Sequence, residues 1–309
     1  MKRITRNQIV NTGARWCASD ILGKTLVLSL LLFFAFAGSA NDTLRDNRER
    51  GVKTLDVIVG GDSQERMKDM VAIAPDMRDW ITNFAYGDVV SRPGLELKTR
   101  ELVTVGALTA LGNAQSQLKA HIKGALNSGA TAEEIVEVLL QMAVYAGFPA
   151  SLNGLAVATE VFRASGVVVE KERGSANDTL RDNRERGVKT LDVIVGGDSQ
   201  ERMKDMVAIA PDMRDWITNF AYGDVVSRPG LELKTRELVT VGALTALGNA
   251  QSQLKAHIKG ALNSGATAEE IVEVLLQMAV YAGFPASLNG LAVATEVFRA
   301  SGVVVEKEN

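Results

Sequence analysis

Two histidines, His121 and His257, are the only side chains of this 309-residue sequence whose ordinary ionisation falls near neutral pH. Each lies on a segment of helical spacing, His121 between Lys119 and Lys123 and His257 between Lys255 and Lys259. The residues alone leave two readings open: a proton donor for catalysis, or a partly exposed helix histidine. Glu101 and Glu237 stand at the start of strongly apolar helical runs. An acid there is favoured by the helix dipole, or pairs with its neighbour Arg100 or Arg236. The single cysteine, Cys17, excludes a disulfide scaffold, a CxxC redox centre and a thiolate zinc site. One histidine in each half supplies no multi-histidine metal cluster. A net charge of -3 argues against a nucleic-acid binder, which carries a basic stripe.

The elements that must position these groups come in duplicate. Residues 38–172 recur without change at 174–308, an offset of 136, and Arg173 against Asn309 is the only difference between the units. A unit of that length can hold its own core, so two copies of one domain are predicted rather than a solenoid. The expected organisation is a leader at 1–37, a first domain at 38–172 and a second at 173–309. The leader has five basic residues against Asp20, then an uncharged run from Thr25 to Ala37. That run is short for a bilayer span of roughly 20 residues. With Ala35-Phe36-Ala37 it reads as a signal peptide, cleaved after Ala37 or Ala40. Export, into a periplasm, without stable membrane insertion afterwards, is the expectation. An uncleaved anchor and an upstream start codon are the alternatives.

Within one copy the patterning is helical. An amphipathic stretch reaches Val59 and Gly60-Gly61 breaks it. Asp62 or Ser63 caps a helix over about 64–73. A second begins at Pro75, places Met77, Trp80, Ile81 and Phe84 on one face, with Trp80 and Phe84 as core residues, and ends at Gly87. A central apolar helix over 102–111 ends at Gly112. Helices follow over 115–127, from the capping box Thr131-Ala-Glu-Glu134, and over 150–164. Residues 166–170 are a short strand or an extended tail. The fold class is all-α, five to seven helices per copy, with Gly106, Ala107, Ala110 and Gly112 favouring close helix packing.

The runs SRPGLELKTRELVTVGALTALGN and LKAHIKGALNSGATAEEIVEVLLQMAVYAGFPASLNG, about residues 91–154, resemble the carboxymuconolactone decarboxylase family. The resemblance implies an alkylhydroperoxidase D-like helical domain and a ring-like homo-oligomer with sites near subunit contacts. A six-domain ring from three tandem chains is one such assembly. The thiol branch of that superfamily uses CxxCxxxH, but the residues before His121, Asn113 to Ala120, include no cysteine. Peroxiredoxin chemistry has no nucleophile here. The other branch removes carbon dioxide from 4-carboxymuconolactone without a cofactor, and no cofactor is expected for this chain.

The resemblance assigns roles residue by residue. His121 and His257 become general acids that protonate the enolate-like carbanion left by decarboxylation. Glu101 and Glu237 orient the histidine or shuttle its proton. Arg92, Arg100, Arg228 and Arg236 are candidate clamps for the carboxylates of a small anionic substrate, since guanidinium binds carboxylate through paired hydrogen bonds. Tyr86, Tyr145 and Tyr281 either donate to a lactone oxygen or pack in the core, and Asn153 is a weaker pocket candidate. The rival function is a non-catalytic oligomeric scaffold with the same fold. Buried Glu101 and His121 facing one cavity would favour the enzyme, and exposure of both to solvent the scaffold.

Overall fold

A computed structural model describes residues 43, 45–69, 71–169, 180–204 and 208–304. The signal-peptide reading of 1–37 and the connection around Arg173 lie outside the described residues. Among those described there is no strand, in keeping with the all-α expectation. Residues 167–169 are irregular. No described helix is long and apolar enough to cross a membrane.

The first copy comprises α1 (45–59), α2 (Ser63–Met67), α3 (Asp76–Asp79), α4 (Leu97–Leu111), α5 (Gln115–Asn127), α6 (Ala132–Tyr145) and α7 (Phe148–Ser165). The second repeats them as α8 (Leu180–Val195), α9 (Ser199–Met203), α10 (Pro211–Asp215), α11 (Leu233–Leu247), α12 (Gln251–Asn263), α13 (Ala268–Tyr281) and α14 (Phe284–Ser301). Local chemistry sets most of the ends. Asp62 accepts the Glu65 N–H at α2. The Thr131–Glu134 capping box opens α6. Gly112 stops α4 in the left-handed conformation, φ 69°.

Two local expectations are corrected. The helix predicted over 64–73 ends at Met67, and turns carry the chain to Pro75. Ile73 is fully exposed there, so no packing face sustains the helix. The helix expected to end at Gly87 passes from α3 into a π-helical stretch, Trp80–Val90. Its closing bond runs from the Ser91 N–H back five residues to the Tyr86 carbonyl, 3.1 Å. The wider winding also turns Trp80 outward, to 62% exposure, with Met77 and Phe84 exposed beside it. Trp80 and Phe84, core residues by sequence, are therefore exposed instead.

The two copies, both within the unit Asn47–Asn309, share one core. α4 and α11 are its centre, and Leu102, Val103, Val105 and their repeats are fully buried. The helices meet at glycines. A Cβ on Gly106 would lie 2.6 Å from Val239 Cγ1, and one on Gly242 would lie as close to Val103. Larger residues would force the helices apart.

Across this seam runs a buried polar network. Arg100, wholly buried, donates from Nη2 to Glu273 Oε2 at 2.7 Å and from Nη1 to Gln277 Oε1 at 3.3 Å. It also donates to the carbonyls of Leu95 and Arg92. Gln277 Nε2 donates to the Arg100 carbonyl and to Thr104 Oγ1. Arg236, Glu137, Gln141 and Thr240 repeat the arrangement in the opposite sense. Removing one partner of such a pair strands a buried charge. Glu273→Ala is expected to lower unfolding free energy by about 3–5 kcal/mol. Glu160→Ala, which removes an exposed pair with Lys119, should cost less than about 1 kcal/mol. Urea denaturation of the two variants, read by circular dichroism, checks the contrast.

Candidate functional site

α4 and α5 place the two proton-handling groups together. Glu101 projects from the first turns of α4 and is 0% exposed; His121 projects from α5 and is 6% exposed. His121 Nδ1 lies 2.9 Å from Glu101 Oε2. A carboxylate oxygen only accepts, so Nδ1 carries the hydrogen and proton exchange falls to Nε2. Glu237 and His257 repeat the pair at 2.9 Å. The approach depends on Gly124, one turn beyond His121, where a Cβ would meet Glu101 Oε2 at 2.5 Å. The Glu101 carboxylate is therefore committed to His121, while its neighbour Arg100 pairs with Glu273 instead.

The next side chain against His121 comes from the other copy. The ring of Tyr281, on α13, meets the His121 ring edge-on, centroids 5.0 Å apart and planes at 87°. Tyr145, on α6, does the same to His257 at 5.1 Å. The Tyr281 hydroxyl stands beside those of Tyr86 and Thr104, yet makes no hydrogen bond of proper geometry, and Glu101 Oε1 is also buried without a partner. Tyr145 thus joins the site of His257, and Tyr281 that of His121.

The arginines divide. Arg100 and Arg236, expected as carboxylate clamps, are buried and bound to four acceptors each, two in their own copy and two across the seam. Four of the five N–H donors of each guanidinium are taken and the group is out of solvent, so neither is placed to clamp a substrate. Arg92 and Arg228 bind Glu273 and Glu137 through Nε, with side chains 40% and 27% exposed. Asn153 lines a separate open cleft of about 520 Å³ with Gln115, Lys119 and Glu160. Among the described residues no three His, Cys, Asp or Glu side chains are grouped to hold a metal ion.

Sequence reasoning missed Glu137 and Gln141, with their repeats Glu273 and Gln277. The signal was available: Glu137, Gln141 and Tyr145 follow one another at intervals of four on α6 and share a face. On α13 the same stripe carries Glu273 to Arg100, Gln277 to Thr104 and Tyr281 to His121.

All four tyrosines of the chain belong to these two sites. Burial first, then the nearby Glu101 charge, pushes the Tyr86 phenol well above its ordinary value of 10.0, and Tyr222 follows beside Glu237. Burial likewise raises Tyr145 and Tyr281 well above 10.0. A phenol whose pKa is raised on folding stabilises the fold below the unfolded value and loses that contribution as pH rises. Stability should therefore be insensitive to these groups up to about pH 10 and fall above it. Tyrosinate absorbance near 295 nm should appear together with loss of helical ellipticity, not before it.

Residues 75–160 and 211–296 match the Carboxymuconolactone decarboxylase family. A 4-carboxymuconolactone decarboxylase of Acinetobacter baylyi is 43% identical over 98 residues, which is 32% of this chain and 72% of that protein. A nitrosuccinic acid decarboxylase of Metarhizium robertsii is 33% identical over 121 residues, 38% of this chain and 84% of its own. A crystal structure described as a gamma-carboxymuconolactone decarboxylase subunit from Burkholderia xenovorans superposes with a TM-score of 0.51 at 25% identity, covering 82% of this chain and 98% of its own. More than half of the sequence matches in two blocks that each contain the histidine–glutamate pair, and the chain belongs to the carboxymuconolactone decarboxylase family.

Proposed function

We propose that the chain is a carboxy-lyase acting on 4-carboxymuconolactone or a related small anionic lactone, with His121 and His257 as general acids. The observation that carries the proposal is the buried Glu101–His121 pair, repeated as Glu237–His257. Two relatives named for decarboxylation of small acids support the reaction class. Loss of carbon dioxide breaks a carbon–carbon bond and leaves the electron pair delocalised toward the lactone carbonyl. The carbanion then takes a proton from Nε2, while Glu101 holds Nδ1 and stabilises the imidazolium from which the proton leaves. In this reading Arg92 and Arg228, which retain partial exposure, contact the substrate carboxylate that stays.

Both members of the pair are out of solvent and in contact, the reverse of the exposure that the scaffold reading expects. Incubation with 4-carboxymuconolactone should release carbon dioxide, with loss of ultraviolet absorbance. The double variant His121→Ala, His257→Ala should lower kcat by about 10²–10⁴-fold, the usual contribution of a positioned acid. Retained turnover in that variant would discard the assignment of histidine, and no turnover in the folded wild type would favour the scaffold.

We also propose that the chain self-associates through an aromatic strip. Trp80 and Leu288 are each 62% exposed, and the exposed Phe84 and Phe284 rings, one turn along the same helical segments, stack with centroids 5.7 Å apart. Such strips on a soluble surface mark contact sites. Sedimentation velocity should show assemblies of several chains. Trp80→Glu with Trp216→Glu should reduce them to single chains, and an unchanged sedimentation coefficient would rule the strip out.

A further inference from the structure

The geometry points to Tyr281 and Tyr145 as hydrogen-bond donors to the substrate's developing oxyanion, each supplied by one copy to the site of the other. The inference rests on the carboxy-lyase reading and adds to it a donor residue and a wiring. Three observations carry it. The Tyr281 ring lies against the His121 ring and the Tyr145 ring against that of His257, so each pair joins opposite copies. Each of these hydroxyls is buried beside two others, Tyr281 by those of Tyr86 and Thr104 and Tyr145 by those of Tyr222 and Thr240, yet makes no hydrogen bond of proper geometry, and the second oxygen of each site glutamate is also without a partner. Burying a hydroxyl unpaired is destabilising, and a donor left open beside a general acid suits an occupant that brings an acceptor. Finally, the Glu273–Gln277–Tyr281 stripe is anchored at its first two positions to Arg100 and Thr104, which fixes where the third must lie.

In the step itself the bond to the departing carboxylate breaks and carbon dioxide leaves. The electron pair moves through the adjacent unsaturation onto the lactone carbonyl oxygen. The Tyr281 hydroxyl donates to that oxygen and keeps its proton, while His121 delivers a proton to carbon. Neither oxidant nor co-reactant is needed. A donor placed where charge develops favours the transition state over the bound substrate, so its loss lowers kcat more than it raises KM. Phenylalanine keeps the ring against the imidazole and removes only the hydroxyl.

The wiring gives a sharp test, because the same two kinds of substitution can fall in one site or in both. His121→Ala with Tyr281→Phe damages one site and should retain about half of the wild-type kcat, set by the intact second site. His121→Ala with Tyr145→Phe damages both and should fall about 10²-fold, the usual loss on removing one oxyanion donor. The reverse order would show that each tyrosine serves its own copy. Equal, half-maximal activity in both would show that the hydroxyl takes no part. Either result overturns the inference. Failure of the carboxy-lyase reading shows separately, as a folded wild type without turnover. In that case the wiring is read from the imidazole resonances of His257→Ala protein, which has one histidine. Tyr281→Phe should shift that signal and its titration, and Tyr145→Phe should leave it in place. A shift from Tyr145→Phe alone would overturn the wiring.

Discussion

The buried ion pair between Arg100 and Glu273, with its mirror between Arg236 and Glu137, is the constraint on which the remaining architecture depends. A guanidinium in a helical core is tolerable only when its donors are matched, and here acceptors from both copies match them. The pairing fixes the register of α13 on α4 and of α6 on α11. Gly106 and Gly242 then allow the two central helices to close at a distance that side chains would forbid. Apolar burial supplies the general driving force, but it does not distinguish one helix register from the next. The charged and amide groups do.

The proton-handling pair is a product of the same geometry. α4 is buried on every side, so Glu101 has no route to solvent and turns its carboxylate to the one side chain that can use it. α5 reaches close enough only because it carries a glycine where the carboxylate passes. The imidazole is then held on one side by the carboxylate and on another by the edge of a tyrosine from the partner copy. In the proposed reaction a donor kept in one orientation, with its second nitrogen as the exchanging atom, needs little reorganisation when it acts.

Much of this was legible before any coordinates. Helix ends written in local chemistry, such as the capping box at Thr131, Gly112 and the Asp62 cap, fall where the residues predict, because each depends on neighbours within a turn. His121 and Glu101 stood out by type and burial pattern, and they do meet. The errors share a different cause. Arg100 looked like a ligand clamp because its partners lie 173 and 177 residues away in the chain. Trp80 looked like core because an α-helical period was assumed where the backbone winds more widely. The identity of Tyr145 and Tyr281 hid which histidine each one meets, since two equal copies leave every contact between them ambiguous in the sequence.

The exchange of α6 and α13 has a consequence for how such a chain ages. Were the halves separate proteins, each histidine–tyrosine cluster would form only on encounter and would be lost on dilution. On one chain the halves meet at an effective concentration on the order of millimolar, and the clusters persist however scarce the protein is. Each half also furnishes parts to both clusters. Genetic drift in either half is therefore felt by its neighbour, and neither can decay into a passive passenger while the other is under selection.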